Sequence, residues 1–174
     1  NGGGDSADTC YKVSQLSEKM GFPVQAIHVP KTVDNDLPIT DNCPGFGSVA
    51  KYIAVSTLEA SYDVRSMAAT STKIFVIEVM GRHAGWIAAA GALVEDYGIP
   101  VITLFPEIEF DQDKFTAAVD AKVQEHGYCT IVVSEGAHYP DGTFLAEQGT
   151  RDDFGHAQLG GAAPIVANMV KEAL

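Results

Sequence analysis

The sequence is poor in positive charge, in cysteine and in long apolar runs, and each shortage excludes something. Its 11 Lys and Arg face 23 Asp and Glu, for a net charge of −12. Such a chain repels the phosphate backbone of nucleic acids and the surface of anionic membranes, so neither is an expected partner. A small anionic substrate stays open to it, provided local cations overcome the global field. The three cysteines, Cys10, Cys43 and Cys129, stand far apart, form no CxxC pair and are odd in number. That spacing suggests neither a zinc site nor a disulfide framework, and it fits a reduced, cytoplasmic setting. No apolar run approaches the roughly 18 residues that span a bilayer, and no signal peptide is visible.

What is present is a chain of 174 residues, 46% of them hydrophobic, enough to bury the core of one domain. It opens on Asn1-Gly2-Gly3-Gly4-Asp5-Ser6, a glycine-rich turn of the kind that follows a buried strand, with no strand before it. The expectation is a segment that begins inside a larger protein. Helix and strand signals then alternate. Residues 6–20 read as a helix with Ser6 or Asp8 as N-cap and Gly21 just past its end. Residues 24–29 are a short β-branched and apolar run, read as a strand. Residues 30–44 hold three prolines and five Asp or Asn, and read as a long polar loop. Helical spacing returns over 47–62, 84–97 (closed by Gly98), 111–126 and 161–174. Strands are expected over 74–79, 101–105 and 130–133, the first nearly continuous in apolar residues, as when both faces are buried. The alternation predicts an α/β fold, a three-layer sandwich with a mostly parallel sheet joined by crossover helices. Ligands in such sheets bind beyond the carboxyl ends of the strands, which directs attention to the loops after Val29, Val79 and Val133.

The loop Pro30-Lys31-Thr32-Val33-Asp34-Asn35-Asp36 crowds two carboxylates, a hydroxyl and a lysine behind a predicted strand. One Asp there can take a proton from an attacking hydroxyl, the second can hold a metal or orient the first, and the lysine can neutralise a transferring phosphoryl group. The alternative is a solvated turn in which Asp and Asn cap their own backbone. Gly2-Gly3-Gly4 lets backbone N–H groups approach a phosphate at a helix start, or is a loose terminus. Asp5 opposes an anion there unless a metal intervenes. In Glu78-Val79-Met80-Gly81-Arg82-His83-Ala84-Gly85-Trp86, Arg82 stands where a strand gives way to a helix. It suits a bidentate phosphate clamp, or an ion pair with Glu78. Glu135 ends the strand signal of Val132-Val133-Ser134, and by default is a surface glutamate.

Taken together, P-K-T-V-D-N-D, M-G-R-H-A-G-W and Phe154-Gly155-His156 resemble phosphofructokinases, specifically the pyrophosphate-using branch of that family. The resemblance spans essentially the whole chain, with the motifs in the family's order and spacing. It implies a phosphofructokinase-like fold and a partial chain: residues 1–174 as a single α/β region carrying the sugar-phosphate site and part of the donor site. An upstream donor loop and a downstream C-terminal part would lie outside it. The implied activity is reversible transfer of a phosphoryl group from pyrophosphate to the 1-hydroxyl of fructose 6-phosphate. Asp34 would be the base, with Lys31 and Arg82 stabilising the developing charge. Thr32, Val33, Met80, Gly81, Glu135 and His156 would contact the sugar phosphate, and Lys73 would serve a neighbouring subunit's site in a homo-oligomer. Gly2, Gly3 and Asp5 would face the donor. Asp5 matches the second Asp of the family's glycine turn, which fills the space of a nucleotide's α-phosphate, while Gly4 replaces the first, metal-binding Asp. Asp36 is left as the implied ligand of Mg²⁺. Lys31 and Leu159 both follow the pyrophosphate pattern rather than the ATP one. The competing readings are an ATP-dependent 6-phosphofructokinase and a non-catalytic regulatory subunit of the same fold. A lipid or nicotinamide-dinucleotide kinase shares only the glycine turn.

Overall fold

The computed structural model describes residues 1–151 and 157–174, without the side chains of residues 148, 150, 151, 157 and 158. The described residues form two compact units, Asn1–Val49 and Ala50–Leu174.

The first unit contains α1 (Gly4–Lys19) and the start of α2 (Phe46–Met67). Helix α1 begins two residues before the expected position. Its N-cap is Gly3, in extended conformation with no side-chain cap, rather than Ser6 or Asp8. Gly21 follows the helix with φ of 64°, the left-handed turn that glycine accepts without strain. Residues 24–29 do not form the expected strand. Among the described residues their end is paired only through a single parallel bridge between Gly2 and Pro30. A β-branched run becomes a strand only when a neighbour takes up its backbone groups. Val24, Ile27 and Val29 instead lie exposed.

The second unit is built on a three-stranded sheet in the order β1 (Ile74–Val79), β3 (Cys129–Ser134), β2 (Val101–Leu104). Both pairings are parallel, with Val79 opposite Ser134 and Leu104 opposite Val133. Central β3 is buried along its whole length. One face of it packs on α2 and α3 (Trp86–Ala92). Ser61 Oγ of α2 lies 2.8 Å from Thr130 Oγ1. Gly91 of α3 comes so close that a Cβ there would sit 2.9 Å from Val132. The other face turns Cys129, Ile131 and Val133 into an apolar core with Phe115 and Val119 of α4 (Gln112–His126) and with Val166 and Val170 of α5 (Ala162–Ala173). Helices therefore cover both faces, and the three layers follow from β3 being apolar on each side.

Two further elements differ from expectation. The segment 84–97 is not one helix: α3 ends at Ala92 and continues as a 3-10 turn, Leu93–Tyr97, closed by left-handed Gly98. A small antiparallel pair, β4 (Glu147–Arg151) with β5 (Ala157–Leu159), lies in a stretch that carries no alternating apolar pattern to announce it.

Candidate active site

In the first unit, the glycine turn and the Asp-bearing loop are bonded to each other. The Gly2 N–H donates to the Val29 carbonyl at 3.1 Å, and the Lys31 N–H donates to the Gly2 carbonyl at 3.1 Å. His28 Nε2 lies 2.8 Å from the same Gly2 oxygen. Glycine is required at position 2, since a Cβ there would collide with the Ser6 side chain. The Gly3 carbonyl accepts from Ser6 and Ala7, opening α1. Asp5 stands in the first turn of that helix, where an acidic side chain complements the helix dipole. A Cβ on Gly3 would lie 4.0 Å from Thr32 Cβ, so turn and loop are also lateral neighbours.

Along the loop, the Asp34 N–H reaches Thr32 Oγ1 at 3.4 Å. Asn35 is buried and left-handed, with φ of 57°. Its Oδ1 accepts from the Cys43 N–H at 2.8 Å and its Nδ2 donates to the Asp41 carbonyl at 3.2 Å. One side chain thus closes the loop, and its two neighbours, Asp34 and Asp36, are set by a residue whose amide tolerates this backbone. The sequence left open a turn in which Asp and Asn cap their own backbone, and Asn35 does so here. Asp34 is half-buried, while Lys31 and Asp36 are exposed. Val33 packs toward Gly45, where a Cβ would come within 2.9 Å of it.

In the second unit, the turns after β1 and β3 grip each other. The Glu135 N–H donates to the Val79 carbonyl at 2.9 Å. Gly81, with φ of 127°, is held from both sides: its N–H reaches Glu135 Oε1 at 3.4 Å, and its carbonyl accepts from Ser134 Oγ at 2.5 Å. A Cβ on Gly136 would collide with the Arg82 backbone. Arg82 is half-buried, and its Nε is buried with no hydrogen-bond partner among the described residues. The ion pair with Glu78 is not formed. Glu78 Oε2 instead accepts from the Ala163 N–H at 2.9 Å, satisfying the first turn of α5. A guanidinium anchored at its backbone, with a buried donor unengaged, suits an anion.

Met80 is exposed, and His83 stands 6.4 Å from the Phe144 ring. Glu107, given no role from sequence, accepts from the Gly85 N–H at 2.7 Å and steadies the start of α3. Lys73 is not brought to Arg82. It precedes β1 and accepts from the Cys129 N–H, a strand's length, or roughly 20 Å, from the Gly81 turn. His156 lies outside the described residues. Among the described residues no group of three or more His, Cys, Asp or Glu could hold a metal. No described helix is long and apolar enough to cross a membrane.

Fold and turns together define an open α/β protein with glycine-bearing polar turns beyond its parallel strands. The chain belongs to the phosphofructokinase family, whose model matches residues 1–174. It is 70% identical, over 176 aligned positions, to the pyrophosphate–fructose 6-phosphate 1-phosphotransferase of Methylococcus capsulatus. That match covers 100% of this chain and 42% of the relative. A pyrophosphate-dependent phosphofructokinase from Nitrosospira multiformis is 67% identical with a TM-score of 0.84, over 100% of this chain and 41% of that one. The phosphofructokinase of Saccharomyces cerevisiae, at 22% identity and a TM-score of 0.68, over 99% of this chain and 23% of that one, shares the fold. The chain thus spans less than half the length of these relatives.

Proposed function

We propose that the protein carrying this chain transfers a phosphoryl group from pyrophosphate to the 1-hydroxyl of fructose 6-phosphate, giving fructose 1,6-bisphosphate and orthophosphate. The observation that carries this reading is the bond from the Lys31 N–H to the Gly2 carbonyl. It joins a phosphate-type turn at a helix start to a loop bearing a base and a cation. The names of the 70% and 67% identical relatives support pyrophosphate over ATP as donor.

In this reading Asp34 takes the proton of the 1-hydroxyl as its oxygen bonds to phosphorus, and the bridging P–O bond of pyrophosphate breaks. Lys31 and Arg82 stabilise the charge that spreads over the transferring group. Thr32, Val33, Met80, Gly81, Glu135 and His156 orient the acceptor. Gly2 and Gly3 face the donor, and Asp5 excludes a nucleotide. The chain carries the sugar-phosphate site and part of the donor site.

The metal is Mg²⁺. Such an ion keeps several waters and phosphate oxygens and takes few protein ligands. Asp36, exposed on the loop, would hold it. When bound, the ion neutralises donor charge.

The enzyme is cytoplasmic and homo-oligomeric. Exposed Lys73, at the far end of β1 from Gly81, serves a neighbouring copy's site. The test is an assay of the longer protein with fructose 6-phosphate and Mg²⁺, comparing pyrophosphate with ATP. Turnover with pyrophosphate and little with ATP is expected. Preference for ATP, or no turnover with either, overturns the reading.

A further inference from the structure

Glu135 has two uses that compete. One carboxylate oxygen holds the Gly81 N–H, at a long 3.4 Å. The reading above also asks it to accept from a sugar hydroxyl. A carboxylate drawn to the sugar loosens its hold on Gly81, whose backbone at φ of 127° is one that glycine adopts only at an entropic cost. The next anchor is Ser134. It is fully buried, its Oγ donates to the Gly81 carbonyl at 2.5 Å, and it accepts from the Gly136 N–H at 3.3 Å. The bonded carbonyl belongs to the Gly81–Arg82 peptide, and the Gly136 backbone lies against Arg82 without a Cβ between.

We propose that Ser134 is a positioning residue for the acceptor: its hydroxyl fixes the Gly81–Arg82 peptide, and with it the Arg82 guanidinium, independently of Glu135. The proposal deepens the phosphotransferase reading and rests on it for its kinetic consequence. Its structural consequence stands alone.

The experiment uses the full-length protein with Ser134→Ala and Ser134→Thr, the second retaining the hydroxyl. In Ser134→Ala, kcat/KM for fructose 6-phosphate should fall roughly 10- to 100-fold, the worth of one buried hydrogen bond. The fall should lie mainly in KM, with KM for pyrophosphate held within about twofold. Ser134→Thr should recover most of the loss. Amide exchange at Gly136, whose N–H loses its acceptor, and at Gly81 should quicken in the Ala variant and return toward the parent rate in the Thr variant. Unchanged exchange in Ser134→Ala overturns the proposal. So does a loss shared equally by both substrates, or one that the hydroxyl of Thr does not restore. A parent protein inactive with pyrophosphate overturns the reading above instead, and the exchange measurement still decides the role of Ser134.

Discussion

Asp34 follows a hydroxyl that accepts its N–H and precedes an Asn whose amide ties the loop together. The loop's shape therefore belongs to Asn35, and the proposed chemistry to its neighbour. Asp34→Asn in the full-length protein should lower turnover by roughly 10²–10⁴, the usual worth of a general base, with KM values little changed. Steady-state kinetics on a variant with a parent-like melting curve checks this, and near-full turnover removes Asp34 from the role. Donor choice is decided at the same scale. A carboxylate beside a nucleotide phosphate repels it, so Asp5→Gly should tighten ATP binding. Lys31→Gly should weaken use of pyrophosphate, and the double variant should lean toward ATP. The measurement is kcat/KM for both donors in all four proteins. An Asp5→Gly enzyme with unchanged ATP affinity contradicts the assignment. These candidates were named from the sequence because their types and order suggest chemistry. Ser134 and Glu107 were not, because their roles are bonds to backbone groups distant in sequence.

Secondary elements obeyed local rules wherever the rule was local. Asp111 caps α4 through the Lys114 N–H at 3.1 Å, and its carboxylate meets the Lys114 ammonium at 2.8 Å. The Lys114 bonds hold the Asp111 carboxyl below its ordinary value of 3.8. A lowered carboxyl contributes stability above its unfolded value and loses it as pH falls through the folded one. Asp111→Ala should therefore melt lower than the parent at neutral pH, by a few degrees at most for an exposed cap. The difference should close in acid below that value, as followed by circular dichroism. A gap that stays constant down to acid would mean the charge plays no part. Element type failed where the reason was tertiary. Residues 24–29 have strand-like side chains but, among the described residues, no ladder beyond the single bridge of adjoining Pro30 to Gly2. The β4–β5 pair forms between segments whose sequences lack the period-two pattern.

At the scale of the whole molecule, burial sorts residues that composition cannot. The three cysteines are alike in sequence, yet Cys43 and Cys129 are buried and Cys10 is partly exposed. Burial pushes the Cys129 thiol up to about 12, far from the thiolate that reacts. In the native protein an alkylating probe should label Cys10 first and leave Cys129 unmodified until denaturation, as mapped by peptide mass spectrometry. Early labelling of Cys129 would contradict the placement of β3 in the core. By itself the sequence determined the α/β class, the positions of β1, β2, β3 and α4, and the family, because periodicity, helix caps and motif order are properties of neighbouring residues. Only the tertiary structure decided that β3 lies between β1 and β2. The same holds for Glu78 capping α5 rather than pairing Arg82, and for Ser134 and Glu135 holding Gly81. Those outcomes turn on which polar groups, distant in sequence, must satisfy one another once water is excluded.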